Sequence, residues 1–418
     1  MNRIQKTMKQ VSRHVFSRRD FVAGAGAAAG VALVDMSALG QQATTVNGPK
    51  IKLGLIGCGG RGAFMANLFR KHGGYEIIGL HDYFQDRVDS LAAKHGVPPE
   101  RCFTGLDGYK RLLDLKPEAV AVMSPPYFHP GQAADAVDAG CHVYVAKPVA
   151  VDVPGCRSIE ASGAKATAAK CVFLVDFQTR VNPFYLEAVT RVHGGAIGAF
   201  AFGEASYQCG RLGKHHIHPD AGTQESRLRN WVFDKALSGD IITEQNIHAL
   251  DVMGWVFGKP PLRAYGTGAR KVRVDIGDCR DTFSVIFQYP DDVAVTFNSR
   301  QFDGHGTAEG ILCRVFGEKG VLETAYGGNV MIRGGEGVFY RGGETKQIYA
   351  EGAAANVAAF HAAILAGDVS NTTVAPSVQS NLITILGRTA ADTGRVVTWD
   401  EIVKDTARLD GRLGGLKA

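Results

Sequence analysis

The sequence predicts an α/β chain in two parts. A doubly wound parallel sheet over residues 50–175 is followed, over 176–405, by an α+β domain with a large open, mainly antiparallel sheet. Three observations carry this. Short apolar runs alternate with helix-period segments as far as residue 175, as strands joined by crossover helices require. Glycines fall at 57, 59 and 62, directly after the first of those runs. After Gln178 the pattern changes, and beyond Phe257 the apolar runs become longer, alternate with polar residues and follow one another without intervening helices, the pattern of neighbouring antiparallel strands.

The elements follow in chain order. Residues 1–43 stand apart as a leader and short linker. They hold Arg3, Lys6, Lys9, Arg13, Arg18 and Arg19, then a 14-residue Gly/Ala-rich run, Phe21–Val34. Ser17-Arg18-Arg19-Asp20-Phe21-Val22 resembles the twin-arginine export signal of bacteria. A bilayer needs about 20 apolar residues, so a removable leader is expected, cut near Ala38–Ala43, with a periplasmic or otherwise exported product and no stable membrane anchor beyond it. The first domain is expected to contain strands at Ile51–Ile56, Tyr75–His81, Ala119–Met123, His142–Ala146 and Cys171–Val175. Its helices are expected at Ala63–His72, Phe84–His95, Gly131–Ala139 and Val153–Ala169. A helix at Pro183–Val192 and a loop-rich stretch lead to a helix over Ile241–Phe257. Strands are then expected at Leu262–Ala269, Thr282–Tyr289, Val293–Arg300, Ile311–Phe316 and Val321–Thr324, with closing helices at Ala355–Ala366 and Ser377–Thr393 and a tail over 406–418.

Composition narrows the function classes. Of the net charge of +5, the leader carries four, leaving +1 for residues 41–418. That balance offers no basic stripe for nucleic acid. Eight cysteines are scattered without CxxC spacing and are expected as buried thiols.

The segment IKLGLIGCGGRG, residues 51–62, is the most informative in the chain. A strand runs into Gly57-x-Gly59-x-x-Gly62, a helix follows, and a second strand ends at Asp82, 20 residues past Gly62. Gly57 permits the tight turn, Gly59 lets the backbone approach a pyrophosphate, and Gly62 lets the helix pack on the strand. With Gly60 and Arg61, these residues open a helix whose N–H groups face phosphates. Asp82 is placed to accept from the adenosine ribose. A Rossmann domain holding NAD is expected. The carboxylate disfavours the 2′-phosphate of NADP, although Arg87, five residues on, keeps NADP possible.

The chain resembles the glucose–fructose oxidoreductase / inositol dehydrogenase (Gfo/Idh/MocA) family from about Lys50 to Lys404. The resemblance is carried by GLIGCGGRG at 54–62, Ser124-Pro125 to His129, Ala146-Lys147-Pro148, Asp176-Phe-Gln-Thr-Arg-Val-Asn-Pro183, Glu244-Gln-Asn-Ile-His248-Ala-Leu-Asp251, and Thr393-Gly-Arg-Val-Val-Thr-Trp-Asp-Glu401. It implies that Lys147 is catalytic, matching the lysine of the family's Glu-Lys-Pro motif, with Ala146 in place of the usual glutamate. It implies His248 as acid/base, with Glu244 standing where an aspartate is usual, and homo-oligomers paired through the open sheet. Residue chemistry agrees. Lys147 ends a buried strand at the edge that lines ligand crevices, and burial readies an ammonium for proton exchange. Glu244 and His248, four apart, share a helix face, and imidazole titrates near neutrality. Asp251 is placed either to hold the imidazole tautomer or to pack the helix. A metal site drawing on Glu244, His248, His215, His216 and His218 matches no standard zinc spacing, so no metal is expected.

Further candidates are Ser124 and Pro125 along the nicotinamide, His129 either touching the cofactor or capping the next helix, and Tyr83 and Arg87 either near the adenine or at a solvated helix start. Arg180 and Asn182 are candidates beside the active site, with the domain interface the alternative for Arg180; Arg229, Asn230 and Trp231 are candidates for substrate, an indole being suited to stacking on a sugar face or to plain core. The function these readings converge on is hydride transfer between a carbohydrate or cyclic polyol hydroxyl and a tightly bound nicotinamide. The rival is a glycoside hydrolase that uses its nicotinamide catalytically. A non-catalytic sugar or cofactor sensor is a third class.

Overall fold

The computed structural model describes residues 50–213 and 223–418; the leader and His215, His216 and His218 lie outside the described residues. The first part of the chain lays down strands β1 (Ile51–Ile56), β2 (Tyr75–His81), β3 (Cys102–Phe103), β4 (Ala119–Val122), β5 (His142–Ala146) and β6 (Phe173–Asp176). They form one parallel sheet ordered β3-β2-β1-β4-β5-β6. Every residue of β4 and β6 is buried, which is why β4, and β6 as far as Val175, read as continuous apolar runs. Helices α1 (Gly60–His72), α2 (Gln85–His95), α3 (Gly108–Leu113), α4 (His129–Asp138) and α5 (Val153–Ala168) make the crossovers. Strand order reverses between β1 and β4, and the carboxyl ends of these strands border a crevice there.

After β6 come α6 (Pro183–His193) and β7 (Phe200–Cys209), then the short helices α7 (Thr223–Arg229), α8 (Lys235–Ser238) and α9 (Ile241–Glu244), and then α10 (Ile247–Phe257). Seven strands follow: β8 (Arg263–Ala269), β9 (Thr282–Gln288), β10 (Ala294–Gln301), β11 (Gly310–Gly317), β12 (Gly320–Tyr326), β13 (Asn329–Gly334) and β14 (Tyr340–Glu344). Helices α11 (Ile348–Ala366) and α12 (Val374–Thr393), strand β15 (Val397–Thr398) and helix α13 (Trp399–Lys404) complete the elements. The second sheet has nine strands, ordered β14-β13-β12-β11-β7-β10-β9-β8-β15. All its pairings are antiparallel except β7 with β10.

Strand β7 lies in the expected loop-rich stretch. Its buried positions, Gly203, Ala205, Tyr207 and Cys209, alternate with Glu204, Ser206 and Gln208, but the small residues at the first two make the alternation weak in the sequence. The small residues are needed because a Cβ at Gly203 would stand 2.8 Å from both Met253 Cε and Val295 Cγ2. The expected helix over Ile241–Phe257 is likewise two helices, parted at Gln245–Asn246. Glu244, Gln245 and Asn246 at the break are all buried polar residues.

The closing helices do not belong to the second sheet alone. Ala353, Val357 and Phe360 of α11 enter the nucleotide domain's core beside Phe69, Tyr75 and Tyr144, so this helix, long and apolar enough to cross a membrane, has a packed side. Asn381 of α12 accepts from Val149 N and Ala150 N and donates to Ala150 O, fixing the loop that follows β5.

Candidate active site

Three strands of the parallel sheet end in charged residues at the crevice: β2 leads into Asp82, β5 into Lys147, and β6 ends at Asp176. The glycine loop meets its sequence assignment. Gly57 has φ +93°, and a Cβ there would stand 2.6 Å from the Met123 carbonyl carbon. A Cβ at Gly62 would reach within 1.8 Å of Gly57 O. A Cβ at Gly60 would meet nothing within 4 Å, and one at Gly59 only the Arg87 guanidinium. No side chain caps α1, so its first N–H groups remain for an anion. Asp82 accepts from Cys58 N at 2.8 Å and Phe84 N at 3.0 Å, tying the end of β2 to the glycine loop. Arg87 Nη1 is 3.9 Å from Asp82 Oδ1. An open backbone cradle beside a fixed carboxylate fits a dinucleotide.

Lys147 Nζ donates to the main-chain carbonyl of Glu244 at 2.8 Å and lies 3.7 Å from Glu244 Oε1. The helix break makes this possible. Gln245 N and Asn246 N both reach back to Ile241 O, and His248 N donates to Gln245 O, leaving the Glu244 carbonyl to the lysine. Burial lowers the Lys147 pKa, with the Glu244 and Asp176 carboxylates opposing it. His248 is buried, its ring 5.2 Å from that of Tyr326. Burial, then the charges of Lys147 and Arg61, hold its imidazole well below the ordinary range, so it is neutral at pH 7. Glu244 Oε2, His248 Nδ1 and Asn246 Oδ1 are buried without a protein partner. Such atoms are destabilising unless satisfied, and their concentration at the lysine suits a hydroxyl-bearing ligand.

Asp176, which the sequence reading passed over, sits beside this group. It pairs in register with Ala146, the residue before Lys147. Its carboxylate is fully buried and accepts from Gln178 Nε2 at 3.0 Å, Asn356 Nδ2 at 2.8 Å and Arg61. The missed signal was available, since Asp176 ends a buried strand as Lys147 does. Tyr326, which donates to Gln178 Oε1 at 3.4 Å, and Tyr349 sit far along the chain and carry no such signal.

Several expectations are corrected. The Arg61 side chain turns from the glycine loop to Asp176 and lies over the rings of Tyr349 and Phe64, 4.9 and 5.3 Å from their centroids. Arg180 takes the interface role: it makes a bidentate pair with fully buried Asp251, at 2.8 and 2.9 Å, and lies over Trp255. Asp251 therefore holds Arg180, not the His248 imidazole. Asn182 caps α6, accepting from Phe184 N and Tyr185 N. Arg229 pairs with Asp86 at 2.7 Å and lies 3.8 Å from the Phe84 ring centroid, beside Arg87. Asn230 donates to Ser226 O. Trp231 packs in an apolar cluster with Phe84, Leu228 and Leu237. His129 is wholly occupied by main chain, its ring nitrogens 2.7 Å from Ser124 O and 2.8 Å from Pro148 O. Burial lowers its pKa, but both neighbours are carbonyl acceptors, and making both hydrogen bonds takes the protonated ring. It joins the Ser124-Pro125 loop to the Lys147-Pro148 turn, while Ser124 Oγ donates to Gln132 Oε1 at 2.6 Å.

Known proteins share this fold. Residues 51–177 match the family described as an oxidoreductase family with an NAD-binding Rossmann fold, and residues 185–323 match the Gfo/Idh/MocA C-terminal domain. The chain belongs to the Gfo/Idh/MocA oxidoreductase family. It is 26% identical over 292 residues to a myo-inositol dehydrogenase, Hyg17, of Streptomyces leeuwenhoekii, covering 69% of this chain and 81% of that protein. It is 28% identical over 164 residues to a glycosyl hydrolase family 109 protein of Akkermansia muciniphila, covering 38% of this chain and 33% of that one. Among solved structures, GenD2 from gentamicin A biosynthesis, in complex with NAD, superposes with a TM-score of 0.65 at 20% identity, covering 84% of this chain and 97% of that chain. At that identity the likeness is one of fold.

Proposed function

We propose that this Gfo/Idh/MocA protein is an NAD-dependent oxidoreductase acting on a secondary hydroxyl of a carbohydrate or cyclic polyol. The observation that carries the reading is the meeting of Lys147, Glu244 and His248, from two domains, at the carboxyl edge of the parallel sheet. When bound, the nicotinamide supplies the hydride acceptor or donor. Gly57–Gly62 and Asp82 hold the dinucleotide. Lys147 donates to the reacting hydroxyl oxygen, and neutral His248 accepts the hydroxyl proton. Glu244 Oε2 and Asn246 Oδ1 accept from neighbouring hydroxyls. Asp82 selects NAD over NADP.

A second reading, a nicotinamide-dependent glycoside hydrolase, is favoured by the family 109 relative alone, over a third of that protein's length. Both readings place the protein outside the inner membrane, on the strength of Ser17–Val22. Both also fit a homo-oligomer paired through the open sheet face, where Tyr265, Ile286 and Leu312 are 53, 49 and 41% exposed. A screen of sugars, polyols and aryl glycosides, following NADH absorbance together with aglycone release, tests the choice. NADH formation with an intact polyol skeleton supports the dehydrogenase. Aglycone release without net reduction replaces it with the hydrolase.

A further inference from the structure

Beyond α13 the chain runs back as an extended strap over residues 405–418, contacting both domains. Leu409 N donates to Asp152 Oδ2 at 2.9 Å. Arg227, ahead of α10 in the second domain, donates to the carbonyls of Gly411 and Arg412. Gly411 lies so close to the Tyr127 ring that a Cβ there would stand 2.6 Å from Cζ. Leu413 and Leu416 pack against the cluster of Phe84, Leu228 and Leu237. Lys417 makes three bonds to the nucleotide domain: its N donates to Tyr83 Oη at 3.1 Å, its O accepts from Leu106 N at 2.9 Å, and its Nζ donates to Thr104 Oγ1 at 2.8 Å.

The residues that Lys417 grips share one location. Tyr83 and Phe84 follow Asp82, and Thr104 and Leu106 follow β3. In an open parallel sheet these strand-end loops rim the adenosine half of the crevice, while Tyr127, after Ser124-Pro125, stands across the switch point on the β4 side. A second cover reaches the same rim from α7. Tyr83 Oη donates to Glu225 Oε1 at 2.8 Å, and Arg229 pairs with Asp86 while lying over Phe84. Tyr83 Oη is thus held from both sides.

We propose that residues 405–418 and α7 form a clasp over the adenosine half of the cofactor crevice, which makes dinucleotide release slow. The clasp rests on the nicotinamide reading above. Release requires the strap to lift, which breaks the Lys417 bonds, frees the two carbonyls held by Arg227 and exposes two leucines. Those terms act on dissociation, since a closed cover raises the barrier to leaving more than it alters the seated contacts.

The test loads NADH onto the full chain, onto a variant ending at Lys404, and onto Arg227→Ala, which removes the grip on Gly411 and Arg412 without shortening the chain. Loss of bound NADH fluorescence is followed after a chase with excess NAD. Both variants are expected to release NADH at least about tenfold faster than the full chain, with melting temperature and single-turnover reduction by a responsive polyol recorded alongside. If the truncated chain does not fold, Arg227→Ala decides alone. Equal release rates with a lowered melting temperature overturn the clasp and leave a strap that only staples the domains. Failure of the full chain to bind NADH at all overturns the nicotinamide reading and the clasp with it.

Discussion

Lys147 and Glu244, 97 residues apart in the chain, are joined by a 2.8 Å hydrogen bond from Nζ to a main-chain carbonyl that a helix break has left available. The bond brings the carboxyl edge of the parallel sheet to the turn that carries His248. Replacing Lys147 by alanine should lower turnover by about two to four orders of magnitude, the loss expected for a positioned acid/base group. NADH binding, read by fluorescence, should persist because Gly57–Gly62 is untouched. Unchanged turnover would remove Lys147 from the chemistry.

Asp176 bears on the same ammonium from the neighbouring strand. Burial lowers the Lys147 pKa, and the Glu244 and Asp176 charges push it back up. Asp176→Asn removes one of those charges, so Lys147 should lose its proton at lower pH. The alkaline limb of the kcat/KM profile should move toward acid, while Lys147→Ala should lack that limb. A profile superimposable on the wild type rules out the electrostatic link.

Cofactor choice turns on Asp82. The wild-type protein should prefer NAD, and Asp82→Ala should shift the ratio of affinities toward NADP, with Arg87 already 3.9 Å from the carboxylate. Affinity for both should fall as well, because Asp82 also holds Cys58 N and Phe84 N. Titrating both dinucleotides checks it, and a wild-type preference for NADP contradicts the assignment.

The corrected roles of Arg180 and Asn182 predict losses of stability. Arg180→Ala leaves the Asp251 carboxylate buried and unpaired, a loss of about 3–5 kcal/mol. Asn182→Ala removes a helix cap, a loss of about 1 kcal/mol. Denaturant unfolding should show both, with activity per folded molecule retained. A selective rise in KM without loss of stability would restore them to the substrate site.

Acid should destabilise the fold through the buried His248 imidazole. It is held well below the ordinary range by burial, then by the charges of Lys147 and Arg61. The unfolded chain takes up this proton near pH 6.5, the folded chain only at lower pH. The His248 contribution is therefore complete above about pH 6.5 and is lost as pH falls below it. The urea midpoint should be lower at pH 5 than at pH 7.5; an equal or higher midpoint at pH 5 contradicts it.

What the sequence determined by itself was whatever short-range physics dictates. The strand–glycine–helix turn, Asp82 at the next strand end and Lys147 before a proline are local patterns, and each lies where it was expected. The α/β class followed from periodicity, since buried parallel strands and amphipathic helices leave different spacings. Strand β7 escaped because close packing against Met253 and Val295 demands Gly203 where an apolar residue would have marked it. Only the tertiary structure decided which charges meet. Arg180 lies four residues from Asp176 and 71 from Asp251, yet its partner is Asp251. Buried charges must be neutralised by whatever the packing brings within reach, and that depends on how two sheets, a broken helix and a returning strap come together.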